Sequence, residues 1–138
     1  MKKIGVIDGQ GGGIGSIIIK KVKDVFEENV EIYALGTNAI ATSQMLRAHA
    51  NRGASGENAI VQTVDKLDII LGPIGIIVAN AMMGEVTPKI AEAVAGSPAQ
   101  KFLIPLTREN ITLVGVCSTP LPQMVDSLIE DYLLPMQQ

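Results

Sequence analysis

A glycine-rich segment near the start of the chain separates a short apolar run from a strongly amphipathic stretch. Residues 9 to 15 read Gly-Gln-Gly-Gly-Gly-Ile-Gly and so contain five glycines. The run Lys3–Asp8 before them is typical of a buried parallel strand, because its apolar residues do not alternate with polar ones. After them, apolar residues recur at helical spacing, with charged residues on the opposite face. The order strand, glycine loop and helix predicts the start of an α/β fold.

Apolar runs and helical periodicity alternate along the rest of the chain, which indicates a three-layer α/β fold. With 138 residues, the chain is long enough for one domain, residues 1–138, with its own core. Further strands are predicted over residues 30–35, 68–71, 101–106 and 111–116. Further helices are predicted over residues 39–50, 55–66, 76–83, 87–96 and 121–133.

The last two predicted strands are joined by residues 107–110 alone. This connection is too short for a crossover between parallel strands. We therefore predict a C-terminal hairpin whose strand over residues 111–116 is antiparallel, at an edge of the sheet. The expected architecture is Rossmann-like, with a mostly parallel sheet of about five strands.

The glycine segment is predicted to lie where α/β sheets bind ligands, beyond the carboxyl ends of the strands. The free N–H groups and partial positive charge of a helix N-terminus can hold an anion, and missing β-carbons let a ligand come close. Thr37 and Asn38 follow the second strand at the same edge, and Arg52 could clamp a phosphate or carboxylate. The residues predicted to bind a nucleotide or phosphorylated small molecule are Gly9, Gln10, Gly11, Gly12, Gly13, Ile14, Gly15, Thr37, Asn38 and Arg52.

These residues also have a structural interpretation. The glycines can allow close packing of strand, loop and helix, although packing needs only one or two of them. Around Arg52, residues 51–57 can end one helix and begin the next. This second interpretation explains most of the segment but does not need Arg52.

The glycine spacing is similar to that of two dinucleotide-binding loops. Gly9, Gly13 and Gly15 fit the G-x-x-x-G-x-G loop of short-chain dehydrogenases. Gly11, Gly13 and Ser16 nearly fit G-x-G-x-x-G. The resemblance leaves a dinucleotide open as a cofactor beside simpler nucleotides.

Other parts of a dehydrogenase site are missing from the sequence. An acid that holds the ribose hydroxyls normally follows the second strand, whereas residues 36–38 read Gly-Thr-Asn. Neither Tyr33 nor Tyr132 has a lysine four residues later, as the Tyr-x-x-x-Lys pair of short-chain dehydrogenases requires. We therefore do not expect an intact oxidoreductase in this chain.

An enzyme acting on a phosphorylated metabolite at the same site is an alternative, with Asp8, Glu57 or Arg108 in the chemistry. The spacing of these residues is not diagnostic, and each has a structural interpretation as a cap or a loop charge. No metal site is predicted, because the single His49 lacks neighbouring cysteine or carboxylate partners. The single Cys117 is expected to be a small buried apolar residue.

Composition excludes several classes of partner. A net charge of −3 and an aromatic content of 3% disfavour nucleic acid. A single cysteine, no signal-peptide pattern and no apolar span of membrane length predict a cytoplasmic protein without a membrane partner. The segment Ile76–Met83 is apolar on almost every side, so as a helix it must be buried in the domain or in a subunit interface. A structural or regulatory homo-oligomer is therefore a further alternative.

Several of these motifs together resemble one family. The motifs are residues 8–15 (DGQGGGIG), 34–42 (ALGTNAIAT), 51–54 (NRGA), 56–60 (GENAI) and 72–75 (GPIG). The chain is similar over nearly its whole length to a family of short bacterial proteins, common in anaerobes, that is classified only as a domain of unknown function. The resemblance implies a self-standing cytoplasmic protein of this size. It implies no activity, substrate or catalytic residue.

Overall fold

The computed structural model describes residues 1–107 and 109–137. Within these residues, five strands form one parallel sheet in the order β3-β2-β1-β4-β5. The strands are β1 (Lys2–Asp8), β2 (Val30–Gly36), β3 (Arg52–Ser55), β4 (Ile69–Pro73) and β5 (Gln100–Ile104). The α-helices are α1 (Gly13–Phe26), α2 (Ala39–Arg47), α3 (Glu57–Thr63), α4 (Pro88–Gly96) and α5 (Leu121–Ser127). Shorter 3-10 and π-helical turns follow several of them, and α5 continues into Leu128–Leu133 and Leu134–Gln137.

Helices cover both faces of the sheet. On one face, apolar residues of α1, α2 and α5 pack against the strands. On the other face, α3 and α4 pack against the same strands. The predicted three-layer α/β architecture is therefore confirmed, and the strand order is that of one Rossmann-like half with its neighbouring strands.

The chain reverses its direction of travel across the sheet between β1 and β4. It moves outward from β1 through β2 to β3, and then returns to place β4 on the other side of β1. In open α/β sheets, ligands bind at this switch point, beyond the carboxyl ends of the strands. The glycine loop, residues Gly9–Gly15, begins there.

The predicted C-terminal hairpin is wrong. β5 occupies the edge of the sheet and runs parallel to β4, and residues 111–116 form no strand. Most of their side chains are exposed, and Val114 is 95% exposed, so they bury too little apolar surface to form a strand of the sheet. Cys117, expected to be buried, is exposed in the same irregular segment.

The sheet still has five strands, because β3 forms the edge opposite β5. The sequence did not predict β3. Its residues, Arg52–Ser55, are all exposed and have low strand propensity. They are held by backbone pairing with β2 over Tyr33–Gly36. Thr42 adds side-chain support, because its Oγ1 accepts a hydrogen bond from the Ser55 hydroxyl at 2.7 Å.

The predicted helix over Ile76–Met83 is also wrong. Ile74–Ile77 is one 3-10 turn, and the chain then winds through turns closed by bonds such as Gly84 N–H to the Asn80 carbonyl at 3.1 Å. Asn80, Met82 and Met83 have positive φ angles of 68°, 58° and 58°, which no α-helix allows. Residues 78–87, called the crossing loop below, connect this turn to α4.

In the part of the chain that is described, no helix combines the length and apolar character that a bilayer-spanning segment needs.

Candidate functional site

A cavity of about 850 Å³ lies at the switch point of the sheet. The glycine loop lines it, together with Pro73 at the end of β4 and Gly75 two residues later. Two further segments complete it, residues 80–83 of the crossing loop and the chain after β5 with Leu106, Thr107 and Glu109. The glycine loop and the carboxyl ends of β1, β4 and β5 thus meet around one space, as the α/β fold predicts.

Three glycines of the loop are explained by packing within the chain. Gly12 has a φ of 71°, and a β-carbon on it would lie 2.8 Å from the Ala41 carbonyl oxygen. A β-carbon on Gly15 would lie 2.6 Å from Met45 Sδ. On Gly9 it would lie 2.6 Å from the Thr37 hydroxyl. Gly12 therefore requires glycine whether or not a ligand binds, and at Gly9 and Gly15 a larger residue would displace neighbouring side chains.

Gly11 and Gly13 have no such requirement. A β-carbon on either would find no described heavy atom within 4 Å, and neither has a positive φ angle. Both line the cavity. Their backbone N–H groups have no hydrogen-bond partner among residues 1–107 and 109–137.

Asp8 ends β1 and serves as the cap of α1. Its carboxylate accepts hydrogen bonds from Gly9 N–H and Gly15 N–H, each at 2.8 Å. The side chain is only 4% exposed. Asp8 thus takes up the Gly15 N–H in the first turn of α1, whose N-cap residue Gly12 provides no capping side chain.

Two opposing effects set the pKa of Asp8. Burial raises the pKa, while hydrogen bonds from the N–H groups of Gly15, Gly9 and Ile14 lower it. Repulsion from Glu85 adds a further rise, and the pKa lies above its ordinary value of 3.8. Asp8 therefore lies beside the cavity as a hydrogen-bonded structural carboxylate, with both oxygens engaged.

Glu85, which the sequence did not single out, reaches the loop from the other side. Its Oε1 accepts hydrogen bonds from Gln10 N–H at 2.9 Å, the Thr37 hydroxyl at 2.7 Å and Asn38 Nδ2 at 2.7 Å. Burial by itself raises the pKa of Glu85, but these three hydrogen bonds outweigh it and hold the pKa below the ordinary value. Glu85 is therefore ionised at neutral pH.

Thr37 and Asn38 are brought to the loop, but their donors serve Glu85. The Thr37 hydroxyl donates to Glu85. Asn38 Nδ2 donates to Glu85 and, at 3.1 Å, to the Gln10 carbonyl, while its Oδ1 caps α2 by accepting from Ala41 N–H at 2.8 Å. Of Thr37 and Asn38, either of which could cap the helix by its sequence, the N-cap is Asn38. Both side chains position the glycine loop and Glu85.

The structure does not bring Arg52 to the cavity. It lies on the exposed edge strand β3 and pairs with Tyr33 of β2. Tyr33 is three residues before the carboxyl end of β2, so Arg52 is set back from the edge of the sheet that carries the cavity. Its Nε is 3.5 Å from Glu31 Oε1. Glu57, considered above for catalysis, also lies outside the cavity lining and accepts a hydrogen bond from the Thr87 hydroxyl at 2.6 Å. Arg108 lies outside the described residues.

Two carboxylates fasten the crossing loop over the site. Glu85 binds it to the glycine loop, and Glu109 Oε1 accepts from Met82 N–H at 2.9 Å. Because Glu85 and Gln10 are 75 residues apart, no local pattern in the sequence could have paired them. Among the described residues, no group of three or more His, Cys, Asp or Glu side chains is arranged to hold a metal ion.

Two solved structures resemble the fold distantly. The apo, histidine-tagged saccharopine dehydrogenase (L-Glu forming) from Saccharomyces cerevisiae is 10% identical, with a TM-score of 0.46 over 73% of this chain and 22% of that chain. The chain thus spans about a fifth of the dehydrogenase's length. A universal stress protein solved in complex with cAMP is 20% identical, with a TM-score of 0.42 over 75% of this chain and 98% of that chain. Likenesses this distant say nothing about ligand or activity.

Sequence comparison gives a clearer assignment. Among curated proteins, none matches this chain. One family model matches residues 3–137, and its description is a domain of unknown function, DUF3842. The match spans almost the whole sequence and agrees with the resemblance seen in the glycine loop and the later motifs. The chain therefore belongs to the DUF3842 family of proteins of unknown function.

Proposed function

We propose that this protein binds a nucleotide or another phosphorylated small molecule at the glycine loop. The observation that carries the proposal is the open setting of Gly11 and Gly13. Glycine costs about 0.5–1 kcal/mol relative to alanine in regular structure. Neither packing nor a positive φ angle within the described chain offsets that cost at these two positions. Close approach of a ligand to the backbone would account for both.

The backbone at these positions suits an anion. Gly11 and Gly13 present N–H groups that have no partner among the described residues, and Gly13 begins the 14-residue helix α1. A helix N-terminus adds partial positive charge. Because Asp8 already engages Gly9 and Gly15 from beneath the loop, a phosphate would bind on the outer side, against Gly11 and Gly13.

The variant Gly13→Val tests this proposal with little cost to the fold, because the new side chain points into open space. We expect it to weaken ligand binding at least tenfold, about 1.4 kcal/mol. The measurement is a thermal-shift panel with nucleoside mono-, di- and triphosphates, NAD, FMN, sugar phosphates and phosphate. At 100 times its Kd, a bound ligand stabilises the protein by about 2.7 kcal/mol, which gives a clear shift.

Gly96→Val is the matched control, since Gly96 is equally open but ends α4, away from the cavity lining. It should fold and bind like the wild-type protein. A ligand that binds Gly13→Val as tightly as it binds the wild type would contradict the proposed site. A panel in which no phosphorylated compound binds would contradict the proposed function.

A homo-oligomer formed through Ile76–Met83 is a second candidate, favoured by one observation. Met83 is 96% exposed, although it is a large apolar residue in a strained backbone conformation. Its neighbour Met82 is partly buried against the second apolar core, so Met83 is the side chain that can meet a second copy.

We expect Met83→Glu to dissociate such an oligomer into monomers while leaving the fold intact, because the side chain makes little contact within the chain. The measurement is the molar mass in solution of the wild type and the variant at matched concentrations. A wild-type protein that is already monomeric at high micromolar concentration would eliminate this candidate.

A further inference from the structure

We propose that Glu85 accepts hydrogen bonds from the ribose hydroxyls of the ligand, so that the phosphorylated ligand of the glycine loop is a ribonucleotide. This inference rests on the proposed function and narrows the class of ligand. It assigns a binding role to a residue outside both the glycine loop and the end of the second strand.

Glu85 lies at the end of β2, next to the glycine loop. In dinucleotide-binding α/β folds, an acid near the end of the second strand holds the ribose, next to the phosphate-binding glycine loop. Here the chain continues from β2 with Thr37 and Asn38 and offers no acid. Glu85 crosses over from the segment after β4, and its Oε1 is bound by Thr37, Asn38 and Gln10 N–H. A carboxylate therefore stands at the end of β2 although the sequence of β2 does not supply one.

The two carboxylate oxygens of Glu85 differ in their hydrogen bonds. All three of its hydrogen bonds fall on Oε1, and Oε2 has no partner among residues 1–107 and 109–137. The side chain is partly exposed. It does not itself line the cavity, but it is bound to Gln10, which does. An ionised carboxylate accepts hydroxyl hydrogen bonds strongly and repels phosphate. This end of the site thus suits a polyol and disfavours a second phosphate.

Glu85 and the open N–H groups of the glycine loop lie close together. Gln10 lines the cavity, and its N–H holds Glu85. Gly11, the next residue, also lines the cavity, and its N–H has no partner among the described residues. The Cα atoms of adjacent residues are about 3.8 Å apart, so Glu85 is held close to the first open N–H group of the glycine loop. A phosphate at Gly11 and Gly13 would therefore bring the attached sugar to Glu85.

The other two carboxylates near the cavity are less suited to this role. Both oxygens of Asp8 accept backbone N–H groups, and the side chain is buried. Glu109 accepts a hydrogen bond from Met82 N–H and none from the glycine loop or the residues after β2. Among the described residues, Glu85 combines a contact to the glycine loop with an oxygen, Oε2, that accepts no hydrogen bond from residues 1–107 or 109–137.

The test compares ribonucleotides with matched compounds that lack the sugar hydroxyls. Binding of AMP, GMP, CMP and UMP, of their 2′,3′-dideoxy counterparts and of inorganic phosphate is measured by calorimetry. The proteins are the wild type, Glu85→Gln and the control Glu92→Gln, whose side chain is exposed on α4. We expect at least one ribonucleotide to bind the wild type and Glu92→Gln about tenfold or more tightly than its dideoxy form. In Glu85→Gln the ratio of ribonucleotide affinity to dideoxy affinity should fall to about one.

The possible results separate this inference from the proposed function. Equal affinity of ribo and dideoxy forms for the wild type, or a preference that persists in Glu85→Gln, overturns the role of Glu85. Binding of phosphate alone, lost in Gly13→Val, also overturns it but keeps the glycine loop as a site. If none of these compounds nor any of the wider thermal-shift panel binds, the proposed function fails and this inference fails with it.

Discussion

Gly12→Ala is expected to lower the free energy of unfolding by about 3 kcal/mol, whereas Gly13→Ala, one residue later, should not lower it at all. At Gly12, the φ of 71° disfavours any L-residue by about 1–2 kcal/mol. The added β-carbon would also lie 2.8 Å from the carbonyl oxygen and 2.9 Å from the Cα of Ala41. Because these are backbone atoms of α2, the two helices would have to move apart.

Gly13→Ala has the opposite expectation. Gly13 is the first residue of α1, and its β-carbon would enter open space. Alanine restricts the unfolded chain more than glycine, which stabilises the protein by about 0.4–1 kcal/mol where the backbone geometry fits. Urea denaturation of both variants, with unchanged m-values, measures the contrast. A loss of stability in Gly13→Ala would show that Gly13 is needed for folding, which would remove the argument that its open setting serves a ligand.

The first βα unit could be predicted because its signals are local. The amphipathic pattern of α1 and the apolar run of β1 each lie within a single stretch of sequence, and both elements form as expected. The helix predicted over residues 87–96 likewise forms as α4. The Thr87 hydroxyl caps it by accepting from Ile90 N–H at 3.1 Å. Burial periodicity and capping chemistry are read over a few residues and need no knowledge of the fold.

The wrong predictions concern elements that depend on distant partners. β3 consists of exposed Arg, Gly, Ala and Ser, and only its backbone pairing with β2 makes it a strand. The apolar residues 111–116 looked more like a strand but have no neighbour to pair with in the described structure. Periodicity reports which side chains can be buried, and it does not report which backbone finds a partner.

In the candidate site, too, the local features could be predicted from the sequence and the distant contacts could not. The glycine loop was visible in the sequence, but nothing in it distinguished the three packing glycines from Gly11 and Gly13. That distinction depends on Ala41, Met45 and Thr37, which belong to other elements. Glu85 could not be assigned because its partners lie 47 to 75 residues away. One local signal was present, since Gly84 and Glu85 interrupt the apolar segment after β4.

Asp8→Ala is expected to lower the free energy of unfolding by about 3 kcal/mol. The substitution leaves Gly9 N–H and Gly15 N–H without their acceptor. A buried donor that loses its partner costs about 1–3 kcal/mol. Asp24→Ala is the control, because Asp24 is exposed near the other end of α1 and should change stability by less than about 0.5 kcal/mol. If the two variants unfold at the same urea concentration, Asp8 does not act as the cap of α1.

The pH dependence of the free energy of unfolding measures separately how Asp8 titrates in the folded protein. Since the folded-state pKa lies above the ordinary value of 3.8, the folded protein binds the Asp8 proton more tightly than the unfolded chain does. The stability associated with that proton is fully present below about pH 3.8 and is lost as the pH rises through the raised pKa. Asp8→Asn keeps the shape of the side chain and cannot titrate. The free energy of unfolding of the wild type, measured relative to Asp8→Asn, should therefore decrease as the pH rises from 3 towards 7. A difference that increases over this range would mean that the backbone N–H groups outweigh burial and that Asp8 is preferentially ionised in the folded protein.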